Sequence, residues 1–254
     1  MPTPIRTSDL LGQTPAPIQL QVLESTAFEL GLITGFAAGK TRALCAATMQ
    51  HGLQWPHAKV LIGRKTYPEM RDTVKQPWFN MAEPLYRGGW ITKPKNWDYR
   101  EGTNHVQLIN GTQFFFSNFD DPLKFRNEEY TMVGIDQAEE TSEEIWELIL
   151  GRIRHAGVPS SAWRAIASAN DNGHNWIWRR FVHDLQQHAK HPNRCPINTL
   201  CVFLDGHPDE DGVPRPQLPC STRECFHGTT LDNSHNLSRL YLANLLSKPK
   251  EWQR

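Results

Sequence analysis

Thr34-Gly35-Phe36-Ala37-Ala38-Gly39-Lys40-Thr41 is the stretch on which the fold turns. It follows the phosphate-loop pattern G-x-x-x-x-G-K-[ST], except that Thr34 stands at the first glycine and Gly35 comes one step later. Gly39 and the small Ala37 and Ala38 let backbone N–H groups curl around phosphate oxygens, and a helix starting at Lys40 would aim its positive end at them. Lys40 is long enough to reach β- and γ-phosphates, and Thr41 can offer a hydroxyl to Mg²⁺. The flanks agree. The apolar run Glu29 to Thr34 reads as a buried strand, and KTRALCAATMQH, Lys40 to His51, as a helix.

Working outward, further strands are expected at Lys59 to Arg64, Tyr130 to Ile135 and Trp163 to Ala169. HVQLINGTQFFFS, His105 to Ser117, reads as a hairpin about Asn110-Gly111. Helices are expected at Ile18 to Phe28, Ser142 to Ile153, Asn175 to His188 and Leu237 to Leu246, with helix-compatible sequence from Pro68 to Val74. Trp78 to Asn104 reads as loops with short elements, Pro192 to Pro219 as loop, and residues 1–17 as an extended lead-in. Strands alternating with helices predict an α/β fold with a mainly parallel sheet flanked by helices on both faces, and the phosphate-loop stretch makes a P-loop NTPase (ASCE, RecA-like) the expected class.

A P-loop needs a carboxylate at the tip of a neighbouring strand, and Thr131-Met132-Val133-Gly134-Ile135-Asp136 supplies Asp136. Many such ATPases place a glutamate directly after this aspartate to polarise the attacking water; here that position is Gln137. Gln137 can orient a water but cannot take its proton. Either Glu140 or Glu139 is the base, or Gln137 only positions water and turnover is slow, or position 137 carries a deliberate Glu→Gln change that traps ATP.

Composition sets the outer limits. Lys+Arg and Asp+Glu are 27 each in 254 residues, so no overall basic charge draws the chain to nucleic acid, and any DNA contact must be a local patch or a ring of subunits. No apolar run approaches the roughly 20 residues of a membrane span, and MPTPIRTSDLLGQTPAP lacks the layout of a secretory signal, so a cytosolic protein is expected. Cys195-x₅-Cys201 misses the two-to-four-residue spacing of structural zinc pairs and Cys220-x₄-Cys225-x-His227 only reaches its edge; five reduced cysteines are the better reading.

Taken in order, several blocks resemble the phage large terminase family. PAPIQLQVLEST precedes the P-loop. RKTYPEMRDTV runs from Arg64 to Val74, and DPLKFRNEEYTMVGIDQAEETSEEIWELILGRIR from Asp121 to Arg154. ASANDNGHNWIWRRF follows from Ala167 to Phe181, and TTLDNSHNLSRLYLANL closes the series from Thr229 to Leu245. The resemblance implies an ATPase that forms a ring, commonly of five subunits, at the portal of an empty capsid in the host cytoplasm. There it drives double-stranded DNA inward, with the small terminase subunit as a further partner and Mg²⁺ bound with the ATP. It implies Gln19 as the adenine reader, Arg126 as an arginine finger acting on the neighbouring subunit (Arg64 and Arg71 being weaker candidates), and Ser168 and Asn170 as a γ-phosphate-sensing coupling motif. The family adds an RNase H-like nuclease domain. Residues 1–254 read as the single ATPase domain, with 192–254 as a C-terminal subdomain or linker segment, so no DNA cleavage is expected of them. The rival readings are a helicase-like P-loop ATPase and a nucleotide-binding ring-assembly module with little turnover.

Overall fold

The computed structural model describes residues 7–11, 14–91, 104–125, 127–186 and 223–247. Its centre is a seven-stranded sheet in the order β3-β4-β2-β5-β6-β1-β7. The strands are β1 Glu29–Thr34, β2 Lys59–Arg64, β3 His105–Gln107, β4 Gln113–Asn118, β5 Met132–Ile135, β6 Arg164–Asn170 and β7 Arg223–Gly228. Every pairing is parallel except β3 with β4, the hairpin that closes at Asn110-Gly111. The α/β fold expected from the sequence is present.

Parallel strands buried on both faces carry near-continuous apolar runs. All six residues of β1 and all seven of β6 are buried. On one face Leu30 and Leu32 meet the helix Lys40–Gln54, whose Ala43, Ala46 and Ala47 let it lie close to the strands. On the other, Ile33, Ile135 and Ala167 pack with Ile145, Trp146 and Ile149 of the helix Glu143–Leu150 and with Phe181. Ser142 caps that helix by accepting from Ile145 N.

Several local expectations change. The expected extended lead-in holds a short helix, Thr7–Leu11, and the helix expected at Ile18 to Phe28 is Pro17–Glu24, ending early because Ser25 is already extended and leads the chain into β1. The helix-compatible stretch Pro68 to Val74 runs on past its expected end: residues 67–81 form one continuous helix, with Met70–Lys75 in wide π geometry before Pro77. A wide turn there relieves the clash that a proline ring makes with an α-helical carbonyl. Trp78, fully buried against Phe114 and Phe116, holds that helix to the sheet. Finally, β7 is a strand the sequence did not announce, because RECFHG has neither alternation nor an apolar run.

β7 is fixed by charge. Glu29, at the start of β1, accepts from Arg223 Nη2 at 2.9 Å, Arg180 Nε at 2.6 Å and Trp146 Nε1 at 3.2 Å, all buried. Burial by itself raises the Glu29 carboxyl, but the Arg223 and Arg180 guanidinium groups outweigh it and hold the carboxyl below its ordinary range. Its contribution is therefore whole at neutral pH and disappears as pH falls through the lowered value. Glu29→Gln leaves two guanidinium groups short of their counter-charge, with an expected loss of about 3–5 kcal/mol in urea unfolding; a loss below about 1 kcal/mol, the scale of an exposed pair, contradicts this account.

Candidate nucleotide site

Gly35 to Gly39 form the turn between β1 and the helix Lys40–Gln54. Ala37 and Gly39 take left-handed backbone angles, φ 56° and 89°. The left-handed angle at Gly39 is what favours glycine there; a side chain would also stand 2.5 Å from Gln19 Nε2 and push that amide aside. The loop's carbonyls are held from outside: Gln19 Nε2 donates to Gly39 O at 3.3 Å, Thr230 Oγ1 to Phe36 O at 2.5 Å and Asn233 Nδ2 to Ala37 O at 2.7 Å. Gly35 N donates to Gly228 O of β7 at 3.2 Å. With carbonyls fastened outward, the unsatisfied N–H groups of the first helical turn are left for an anion.

Lys40, 8% exposed, is enclosed by acceptors. Its Nζ donates to Gly35 O at 2.9 Å, Thr34 O at 3.3 Å and Asn170 Oδ1 at 2.8 Å. Burial pulls its pKa down, against the opposing charges of Asp136 and Glu139. Asp136, at the tip of β5 and 2% exposed, accepts from Thr41 Oγ1 at 3.1 Å to each oxygen, and from Ser168 Oγ. Burial raises its pKa, opposed by those two hydroxyls and then by Arg64 and Lys40. A buried carboxylate beside a hydroxyl is a hard-oxygen donor set, which suits magnesium.

The two glutamates part company here. Glu139 Oε1 accepts from Asn170 N at 3.0 Å and Nδ2 at 2.9 Å, so Lys40, Asn170 and Glu139 form one chain. Its Oε2 is buried with no partner among the described residues, and burial raises the carboxyl's pKa. Glu140 pairs with Arg64, whose Nη2 is 2.9 Å and Nε 3.2 Å from its oxygens. Beside the loop lies a cleft of about 570 Å³, within the usual size of ligand pockets; Gln137, Asp136 and Asn170 line it, together with Phe36 to Arg42, while Glu139 and Glu140 do not.

Of the residues singled out from sequence, Lys40, Thr41, Asp136, Ser168, Asn170 and Gln137 come together in one place, and Gln19 lies against the loop itself. Arg126 lies outside the described residues, as do Cys195, Cys201 and Cys220. Arg64 is engaged within its own chain, and Arg71 pairs with Asp72. No motif pointed to the carbonyl clamps Thr230 and Asn233, or to Arg64 as a partner of both Gln137 and Glu140. Cys225 stands 3.5 Å from His227 Nε2, and among the described residues no cluster of three or more His, Cys, Asp or Glu could hold a metal. No helix among them is long and apolar enough to cross a membrane.

The family model of the phage terminase large subunit matches residues 32–206, which run from β1 through the P-loop, Asp136 and the coupling segment. The chain belongs to the phage terminase large subunit family. Solved structures of similar fold include the large terminase of a thermophilic bacteriophage (TM-score 0.62, 16% identity, 95% of this chain and 52% of that one). The large terminase ATPase domain of Thermus phage P74-26 is similar over 98% of this chain and 94% of its own (TM-score 0.59, 18% identity). The HK97 bacteriophage large terminase is similar over 76% of this chain and 43% of its own (TM-score 0.54, 10% identity). At such identities the likeness is one of fold. This terminase chain spans about half the length of the first of these proteins, which is also known in complexes with ADP and with ATP-gamma-S. No curated protein matches the chain.

Proposed function

We propose that this chain is the ATPase domain of a DNA-packaging motor: it binds Mg-ATP in the cleft, hydrolyses it and couples the cycle to movement of double-stranded DNA into a procapsid. The convergence of Lys40, Thr41 and Asp136 at the carboxyl edge of β1 and β5 carries this reading. On triphosphate binding, Lys40 exchanges its contacts with Thr34 O, Gly35 O and Asn170 Oδ1 for phosphate oxygens. Thr41 and Asp136 would hold magnesium, which neutralises charge on the β- and γ-phosphates. Release of Asn170 by Lys40 changes the hydrogen bonds at Glu139, which gives Asn170 and Ser168 a direct means of reporting nucleotide state to β6. A similar phage protein named as a large terminase, and complexed with ADP and ATP-gamma-S, supports the nucleotide assignment.

The remaining roles follow the family: Gln19 beside the adenine, Arg126 acting on a neighbouring subunit, and a ring, pentameric as in the family resemblance, at the portal in the host cytoplasm, served by the small terminase subunit. Steady-state ATP hydrolysis with and without double-stranded DNA tests the coupling: turnover rises with DNA. Hydrolysis indifferent to DNA at every protein concentration rules out the motor while leaving an ATPase.

A second reading has its own support. Gln137 is the residue of the Gln137, Glu139 and Glu140 set that lines the cleft, and an amide cannot accept a proton. A chain that binds ATP to build a ring, with little turnover, fits that observation.

A further inference from the structure

Arg64 ends β2 almost fully buried, 9% exposed, and its guanidinium makes four hydrogen bonds to protein partners. Nε and Nη2 fork onto Glu140 at 3.2 and 2.9 Å, and Nη1 donates to Thr73 Oγ1 at 3.2 Å. Nη2 also donates to Gln137 Oε1, and Glu69 stands 3.8 Å away. An arginine has only donors, so Gln137 must give it the carbonyl end of its amide. The amide nitrogen is then the end left for the cleft that Gln137 lines. That nitrogen can donate to a terminal phosphate oxygen. It cannot accept a hydrogen from an attacking water.

The backbone supports a fixed orientation. Gln137 holds φ at 50°, a left-handed angle that a non-glycine residue keeps only where its surroundings impose it. Asp136 N donates to Gly63 O beside Arg64 at 2.9 Å, and Glu140 N to Gln137 O at 3.0 Å, closing the turn on both sides. A planar fork can serve Glu140, Gln137 and Thr73 together; an ammonium is a point charge and cannot span the same three.

Resting on the Mg-ATP reading above, we propose that Arg64 is a positioning residue that locks Gln137 with its amide nitrogen toward the terminal phosphate. The site as built therefore clasps the triphosphate and withholds water activation from this side chain. Arg64 acts through Gln137, and its effect depends on the γ-phosphate.

The test is a double-substitution cycle on nucleotide release, followed by stopped-flow displacement of fluorescent ATP and ADP analogues with magnesium. Gln137→Ala and Arg64→Lys are each expected to speed release of the ATP analogue about tenfold and leave ADP release unchanged, since ADP lacks the group that the amide holds. The double variant releases the ATP analogue no faster than Gln137→Ala alone, the signature of two residues acting as one. Additive effects, or equal acceleration for ADP, would make Arg64 a brace of the turn and overturn the proposal. Should Arg64→Lys fail to fold, the ATP/ADP contrast in Gln137→Ala decides: an unchanged ATP release overturns it. A wild-type chain that binds neither analogue sinks instead the nucleotide reading on which it stands.

Discussion

Gln137→Glu raises the rate of ATP hydrolysis by about 10²- to 10⁴-fold, the usual contribution of a positioned general base. Of the three candidates after Asp136, position 137 is the one on the cleft wall. Glu140 is spent on Arg64, and Glu139 on Asn170. A carboxylate at 137 keeps one oxygen for Arg64 and presents the other to water, which the amide cannot do. Single-turnover hydrolysis at saturating Mg-ATP reads the chemical step directly. Equal rates in the two proteins would mean that Glu139 or Glu140 moves into the cleft on nucleotide binding, and Glu139→Gln and Glu140→Gln would then show which.

Lys40→Ala lowers hydrolysis by about 10²–10³-fold, comparable to removing one preorganised donor from a developing negative charge. The size of the effect follows from burial. Lys40 is enclosed by Thr34 O, Gly35 O and Asn170 Oδ1, so its charge acts on the phosphates with little screening by water. The substitution also strips Asp136 of a nearby cation and Asn170 of its donor, so a fall in melting temperature is expected beside the loss of activity. Steady-state assays on protein shown to be folded by circular dichroism check it. A variant with wild-type turnover would place the phosphates elsewhere.

The parts of the site written in consecutive residues are legible in the sequence. Gly39-Lys40-Thr41 declares the loop because phosphate binding needs backbone freedom, a cation and a hydroxyl within one turn. Asp136 is equally local: an apolar strand ending in a carboxylate. Ser168 and Asn170 are singled out through the family resemblance, and at the sheet edge Ser168 meets Asp136 and Asn170 meets Lys40. What stays hidden depends on distant segments. Thr230 and Asn233 reach Phe36 and Ala37 across 194 and 196 residues, through a strand, β7, that no alternation betrays. β7 is positioned instead by Arg223 on Glu29, an ion pair between residues 194 apart that periodicity cannot express. Arg64 is visible as a charged end to β2, but its grip on Gln137 and Glu140 depends on β2 lying beside β5. Pro77 makes the helix 67–81 look shorter than it is, because the π turn that removes the proline's cost has no signature in residue types.

The most direct trial of the whole account is calorimetric titration of the wild-type chain with ATP, first with magnesium and then with the metal chelated by EDTA. Thr41 and Asp136 at 3.1 Å, beside the anion cradle, predict saturable one-to-one binding that weakens by about tenfold or more without the metal. Heat signals that never saturate, or an affinity untouched by EDTA, would contradict a cation held between that hydroxyl and that carboxylate.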